Sequence, residues 1–279
     1  MPVRIRMILH GPEIGPSALY ADPLRAVVFR AISAAHPAPG QLIHDTNGPK
    51  PLTIGPLRPA AERNASCAVE IAFLADPPLE AFLEGIGAPG STVRLRSDAY
   101  ALAGLETAAS ASYDDLAAAA TLQPTLSLEM RTPTAHHAVG PVRRSVLLPD
   151  PALYIGSWLG RWNRFADRPF EDGLLKTVEE YIVISAFQGR TVRVQLQRPR
   201  VFIGFVGRVT FTVLSEAPQP RAVSAAIHTL ARFAEYAGTG VETMRSMGQT
   251  RIVPFEPSTA DRRRPDGRET DEGNDPLYR

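Results

Sequence analysis

One order of hydrophobic patterns occurs twice along this chain, and that repetition narrows the folds open to it. Val3–Leu9 alternates apolar and basic residues, as a strand with one buried face should. Asp22-Pro23 offers a helix N-cap followed by proline at N1, and Leu24, Val27, Val28, Ala31 and Ile32 fall on one helical stripe. That helix should stop before His36-Pro37. Strand candidates follow at Ala68–Leu74 and Ser91–Leu105, with a short helix over Pro77–Glu84 between them. The alanine-rich stretch Ala108–Ala120 has helical propensity near Asp114. The second half runs in the same order. Thr125–Arg131 alternates, Asp150-Pro151 opens a helix, and Glu180–Phe187, Thr191–Leu196 and Val201–Leu214 are strand-like. An amphipathic helix over Pro220–Ala237 and a last strand at Gln249–Phe255 complete it. Strand, helix, strands, helix, strand is the split βαβ arrangement. The expectation is an α+β chain of two tandem ferredoxin-like domains, over residues 1–122 and 123–257, the second more clearly patterned. From Glu256 onward the chain is polar and charged, and it cannot bury enough surface to offset its ordering entropy. A disordered tail is therefore expected over 258–279.

Hydrophobic residues make up 44% of the 279, which excludes a wholly disordered or fibrous chain. No apolar run approaches the roughly 18 residues of a membrane span, so no membrane partner is expected. The opening MPVRIRMILHGPEIG is too short in apolar residues for a signal peptide and reads as a first strand. Cys67 is the single cysteine, which excludes an internal disulfide framework and a multi-cysteine zinc site. It reads as a small core residue in a reducing, cytoplasmic setting. A net charge of +1 singles out no partner. The kind of base is more informative: of 30 basic residues only Lys50 and Lys176 are lysines. The arginines carry planar forks suited to phosphates and bases.

Several residues can carry chemistry. Tyr236–Ile252 reads YAGTGVETMRSMGQTRI, a glycine-rich loop between a helix and a strand. Its free N–H groups can cradle a phosphate, or its glycines can serve a helix C-cap and turn. No GK[ST] and no strand–GxGxxG–helix order accompanies it. His44 stands in LIHDTNGPK, where an exposed histidine can move protons near neutral pH. Lys50, six residues on, can stabilise charge building on a phosphoryl group; the plain reading of both is a pair of solvated loop residues. His136-His137 point in opposite directions if extended and make a poor chelate; they read as loop residues of a basic surface. Arg190, Arg193, Arg198, Arg200 and Arg208 lie on or between neighbouring strands, as a basic sheet face for RNA phosphates or a solvated face. No serine or cysteine nucleophile stands in a recognisable frame, and no carboxylates cluster for a two-metal site. No metal and no cofactor are expected.

Three blocks occur together in one family. They are AISAAHPAPGQLIHDTNGPKPLTIGPL (Ala31–Leu57); RTPTAH with LLPDPALYIGSWLGRWNRF; and FVGRVTF with LARFAEYAGTGVETMRSMGQTRI. On them the chain resembles the CRISPR-associated endoribonucleases of the RAMP superfamily, which cut precursor repeat RNA and are built from tandem ferredoxin-like, RRM-related domains. The resemblance implies metal-independent cleavage of repeat RNA by attack of a 2′-hydroxyl, leaving a 2′,3′-cyclic phosphate and a 5′-hydroxyl. It places His44 on the family's catalytic histidine and Lys50 on the lysine of the same loop. It also implies packing and RNA-binding roles for Gly238, Gly240, Arg245 and Gly248, beside the sheet arginines Arg193 and Arg208. Phe29 departs from the pattern, because some members carry a tyrosine there. His36, at the end of the same helix, is the candidate to replace its proton-transfer group. A second departure is Ser246, where the usual Gly-x-Gly reads Ser-Met-Gly. The implied partner is CRISPR repeat RNA, with other effector-complex subunits as further partners. The rival expectation is a non-catalytic RAMP-type subunit that holds guide RNA, which Phe29 favours.

Overall fold

The computed structural model describes residues 1–14, 21–36, 48–60, 66–138, 144–196 and 199–255. Strand β1 (Val3–His10) buries Val3, Ile5, Met7 and Leu9 on one face and leaves Arg4 and Arg6 on the other. It pairs antiparallel with β4 (Cys67–Phe73) on one side and β6 (Asp98–Ser110) on the other. With β2 (Leu52–Ile54), β3 (Arg58–Pro59) and β5 (Thr92–Leu95) the sheet runs β2-β4-β1-β6-β5, and β3 also joins β4. Helix α1 (Ala21–Ala35) buries the expected stripe of Leu24, Val27, Val28, Ala31 and Ile32. Asp22 lies within its first turn rather than capping it, and its carboxylate accepts from Arg245. Helix α2 (Asp76–Gly85) packs beside α1, and Phe82 completes the first core.

After the short capped helix α3 (Tyr113–Ala118), the second sheet is built from β7 (Thr125–Thr134), β10 (Ile182–Gln195), β11 (Val201–Val213) and β12 (Thr250–Ile252), in the order β10-β11-β7-β12. A small ribbon of β8 (His136–His137) and β9 (Ser145–Val146) stands apart. Helix α4 (Pro151–Phe165) is capped by Asp150, which accepts from the Leu153 amide at 2.9 Å. Helix α6 (Pro220–Ala237) occupies the span its apolar stripe predicts. Trp158, Trp162, Phe211 and Phe233 fill the core between these helices and the sheet.

Each sheet has the antiparallel order second–third–first–fourth, with β2 and β3 together as the second strand of the first sheet. This is the double ferredoxin-like arrangement the repeated pattern predicts. Helix α5 (Leu174–Tyr181) is an addition that the sequence reading lacks. Strand β10 is one continuous strand, where a break at Gln188-Gly189-Arg190 was expected. A Cβ on Gly189 would stand 2.5 Å from the Phe205 ring, so glycine here admits a ring instead of turning the chain. Ala108–Ser110 end β6 and do not begin a helix. Cys67 is fully buried. No described helix is long and apolar enough to cross a membrane. The expected tail over 258–279 lies outside the described residues.

Helices α1 and α2 meet at a glycine. A Cβ on Gly85 would lie 1.9 Å from the Ala31 carbonyl oxygen, so Gly85→Ala must push the helices apart. Overpacking of this kind should destabilise the protein by about 1–3 kcal/mol, read from the shift of its urea-unfolding midpoint.

Candidate nucleic-acid interface and catalytic region

His44 lies outside the described residues. Lys50 stands two residues before β2, and Phe29 sits half-buried in the middle of α1 against the first core. The Arg25 guanidinium, one turn earlier, lies 5.3 Å from the Phe29 ring centroid. His36 follows α1 directly, with its amide bonded to the Ile32 carbonyl. Its ring lies 3.2 Å from the Glu84 carboxylate at the end of α2. The described structure thus gives His36 a carboxylate partner and places Phe29 on α1 and Lys50 just before β2, two elements in contact.

The glycine-rich loop is closed on itself. Gly238, Gly240 and Gly248 have φ of +66°, +77° and +68°, which side chains rarely adopt. A Cβ on Gly240 would fall 2.2 Å from the Ala135 oxygen, and one on Gly248 2.0 Å from the Thr239 oxygen. The N–H groups of the three glycines, Thr239 and Val241 are also taken. Gly238 donates to Ala234, Thr239 to Gly248, Val241 to Ala135 and Gly248 to Pro133. Gly240 donates to the Ser157 hydroxyl. Of the two readings open from sequence, helix cap and turn fits these bonds, which leave the amides of Gly238, Gly240 and Gly248 engaged within the protein.

What holds the loop is Arg161, on α4. Its guanidinium donates to the carbonyls of Ala237, Gly238 and Gly240, the last two at 3.0 and 2.9 Å. These include carbonyls that the end of α6 leaves without helical partners. Burial lowers the Arg161 pKa to about 10, so it stays charged at neutral pH. Beneath the loop, His136 is 5% exposed and its ring stacks 5.0 Å from Tyr154. Its Nε2 has no hydrogen-bond partner among the described residues. The expectation of a surface loop histidine is corrected: β8 turns His136 inward and leaves His137 exposed.

Arg245 was expected at the RNA. Its guanidinium is engaged within the protein, by Asp22 and Glu242. The expected basic sheet face also divides. Alternation along β10 and β11 puts Arg190 and Arg208 on one side and Arg193 on the other. Arg200 pairs with Glu242, and Arg198 lies outside the described residues.

Among the described residues the main concentration of arginine is elsewhere, in a cleft of about 510 Å³ between the open faces of the two sheets. Arg4, Arg6 and Arg58 line one wall, Arg131 and Arg251 the other, with Glu70 and Glu235 as counter-charges. Burial, then the neighbouring Arg131 charge, pulls the Arg58 pKa below its ordinary value, while Glu70 opposes. Arg208 extends this basic face, since it and Arg251 flank Glu129 in the sheet register. Sequence reading recognised β1 as half-buried but passed over its open face, where Arg4 and Arg6 alternate with the core residues.

A polar, arginine-lined cleft between two ferredoxin-like units suits a polyanion. Residues 128–250 match the family model of the CRISPR-associated endoribonuclease Cas6. A solved Cas6 product complex is 25% identical, with a TM-score of 0.77 over 91% of this chain and 100% of its own. Over residues 128–250 in sequence, and over most of its length in fold, the chain resembles Cas6. Thermus thermophilus Cas6 is 24% identical, with a TM-score of 0.68 over 91% of this chain and 98% of its own. A Cas6-related protein from Pyrococcus furiosus is 13% identical, with a TM-score of 0.61 over 92% and 100%. These last two establish likeness of fold. No curated protein matches the chain. The Cas6-matching segment runs from β7 to β12 and includes Arg131, Arg161 and the whole glycine-rich loop.

His136 gives this region a pH dependence. Burial above all, then the Arg161 and His137 charges, lowers its pKa to about 4. The unfolded chain protonates this histidine near its ordinary value of about 6.5, before the folded one does. Its contribution to stability is therefore full above that value and is lost as pH falls toward 4. Urea unfolding should show His136→Phe losing about 2 kcal/mol less than wild type between about pH 7 and about pH 4.5.

Proposed function

We propose that this chain is an endoribonuclease that cuts CRISPR precursor repeat RNA, bound along the arginine cleft between its two sheets. The observation that carries the reading is the likeness to a Cas6 product complex over 91% of the chain, joined to a cleft whose walls hold five arginines. In this reading Arg4, Arg6, Arg58, Arg131 and Arg251 contact phosphates, and Arg208 extends the contact along the same face of the second sheet, while Arg193, on the opposite face, lies outside it. Gly238, Gly240 and Gly248 shape the loop beside the RNA without cradling a phosphate.

The chemistry needs no metal. The 2′-hydroxyl upstream of the cut loses its proton and its oxygen bonds the adjacent phosphorus. The phosphorus–O5′ bond breaks and the leaving oxygen takes a proton. The products are a 2′,3′-cyclic phosphate and a 5′-hydroxyl. His44 is proposed for proton transfer, with His36 as the second proton-transfer group in place of the hydroxyl absent at Phe29. Lys50 is proposed as the cation that stabilises the charged phosphorane. A second reading rests on Phe29: a chain that holds guide RNA without cutting it, within an effector complex.

Cleavage of the cognate repeat in EDTA, followed by analysis of product ends, separates the two. The ribonuclease reading expects cyclic-phosphate ends from wild type and at least 100-fold slower cutting by His44→Ala, on the order of what one proton-transfer group contributes. Tight binding with no product at any pH supports the guide-holding reading. The cleft assignment has its own check. Replacing Arg131 and Arg251 together by alanine should flatten the slope of log affinity against log salt by about 1.4.

A further inference from the structure

Two adjacent residues of the glycine-rich loop reach across to the first unit and hold two of its elements. The 3-10 turn Thr243–Arg245 packs against α1 and β2. Arg245 Nε lies 2.5 Å from the carboxylate of Asp22, in the first turn of α1. Its Nη1 lies 2.5 Å from Glu242, which also pairs with Arg200 at the turn before β11. The side chains of Arg245, Glu242 and Asp22 are 18%, 14% and 28% exposed, so water screens these ion pairs weakly. The next residue, Ser246, is 1% exposed and donates its hydroxyl to the Gly55 carbonyl at 2.9 Å. Gly55 directly follows β2, and its own amide is tied to the Glu70 carbonyl of β4.

The backbone of this loop is held against its preference. Glu242 and Ser246 both sit in the left-handed region, with φ of 59° and 66°, although neither is glycine. Such a conformation persists where the surroundings over-determine it. Both side chains serve the contact with the first unit, Glu242 by orienting Arg245 and Ser246 by bonding Gly55. The departure from Gly-x-Gly at Ser246 thus supplies a hydroxyl that glycine lacks, on a backbone in the left-handed region that glycine favours.

We propose that Arg245 and Ser246 are positioning residues for RNA cleavage, acting from the second unit. Arg245 fixes α1, which carries Phe29. Ser246 fixes the end of β2, which Lys50 precedes by two residues. The chain between α1 and β2 includes His44, so the grip sets the separation of the two elements to which that segment is covalently joined. The proposal rests on the ribonuclease reading.

Single-turnover cleavage of the cognate repeat by the full chain tests it, with affinity measured separately. Ser246→Gly keeps a residue that adopts the same backbone freely and removes the hydroxymethyl group that bonds Gly55. Its rate at saturating RNA should fall on the order of 10- to 100-fold, as misplacement by about an ångström does, with Kd within about threefold. Asp22→Arg and Arg245→Asp should each slow the reaction, and the double swap should recover at least tenfold over either single variant. Amide exchange should quicken around Gly55 in Ser246→Gly and in the first turn of α1 in Arg245→Asp, while α4 and α6 keep their protection in both. Wild-type cleavage with an undiminished Ser246→Gly rate overturns the proposal alone. RNA binding without wild-type cleavage overturns the ribonuclease reading and the proposal with it.

Discussion

A single buried guanidinium organises the junction of this protein. Arg161 reaches from α4 to the carbonyls of Ala237, Gly238 and Gly240, where α6 ends and the glycine-rich loop begins. A helix end that is withdrawn from water needs partners for its last carbonyls, and a charged planar fork satisfies several at once. With those carbonyls fixed, the loop can fold back under Thr239, whose hydroxyl accepts from Trp158 Nε1 at 2.9 Å. It can then present Arg245 and Ser246 to the first unit. The route runs from a core helix, through a cap, to the contacts between the two units.

The same junction explains why the cleft has a fixed shape. Helix α6 does more than cover its own sheet. Thr53 donates to the Tyr236 carbonyl at 2.8 Å, and the Arg4 guanidinium lies 5.1 Å from the Tyr236 ring centroid while donating to the Glu235 carbonyl. Arg4 therefore belongs to the cleft wall and to the unit interface together. Carboxylates at Glu70 and Glu235 temper the positive wall, so the arginines can stand close without unfolding the strands that carry them.

Local pattern made the scaffold legible. Alternation in Val3–Leu9, the stripe from Leu24 to Ile32, and Asp150 before Pro151 each name a local preference that tertiary structure reinforces. What stayed hidden was set by distance along the chain. Nothing near Arg161 in sequence says that its partners lie 76 to 79 residues away. Gly189 reads as a break until Phe205, on the facing strand, is seen lying over it. Adjacent histidines announce their opposite directions, but which one turns inward depends on the loop that closes over it. Arg245 looks like an RNA contact until Asp22 is seen beside it. For the candidate site, Lys50 and Phe29 were found by resemblance, whereas the cleft became visible only when the two sheets faced each other.

The second hydrophobic core contains three buried residues from the first 122, Ala72, Leu74 and Leu116, and the Tyr113 hydroxyl closes the seam by donating to the Leu74 carbonyl at 2.8 Å. The repeated topology invites a picture of two modules on a string, each able to be exchanged for another of its kind. The shared core argues otherwise. A substitute for the first unit would have to bring the correct side chains at the end of β4 as well as its own fold. Divergence of the two halves is thereby tethered: the strand ends that meet at Leu74 must change in step.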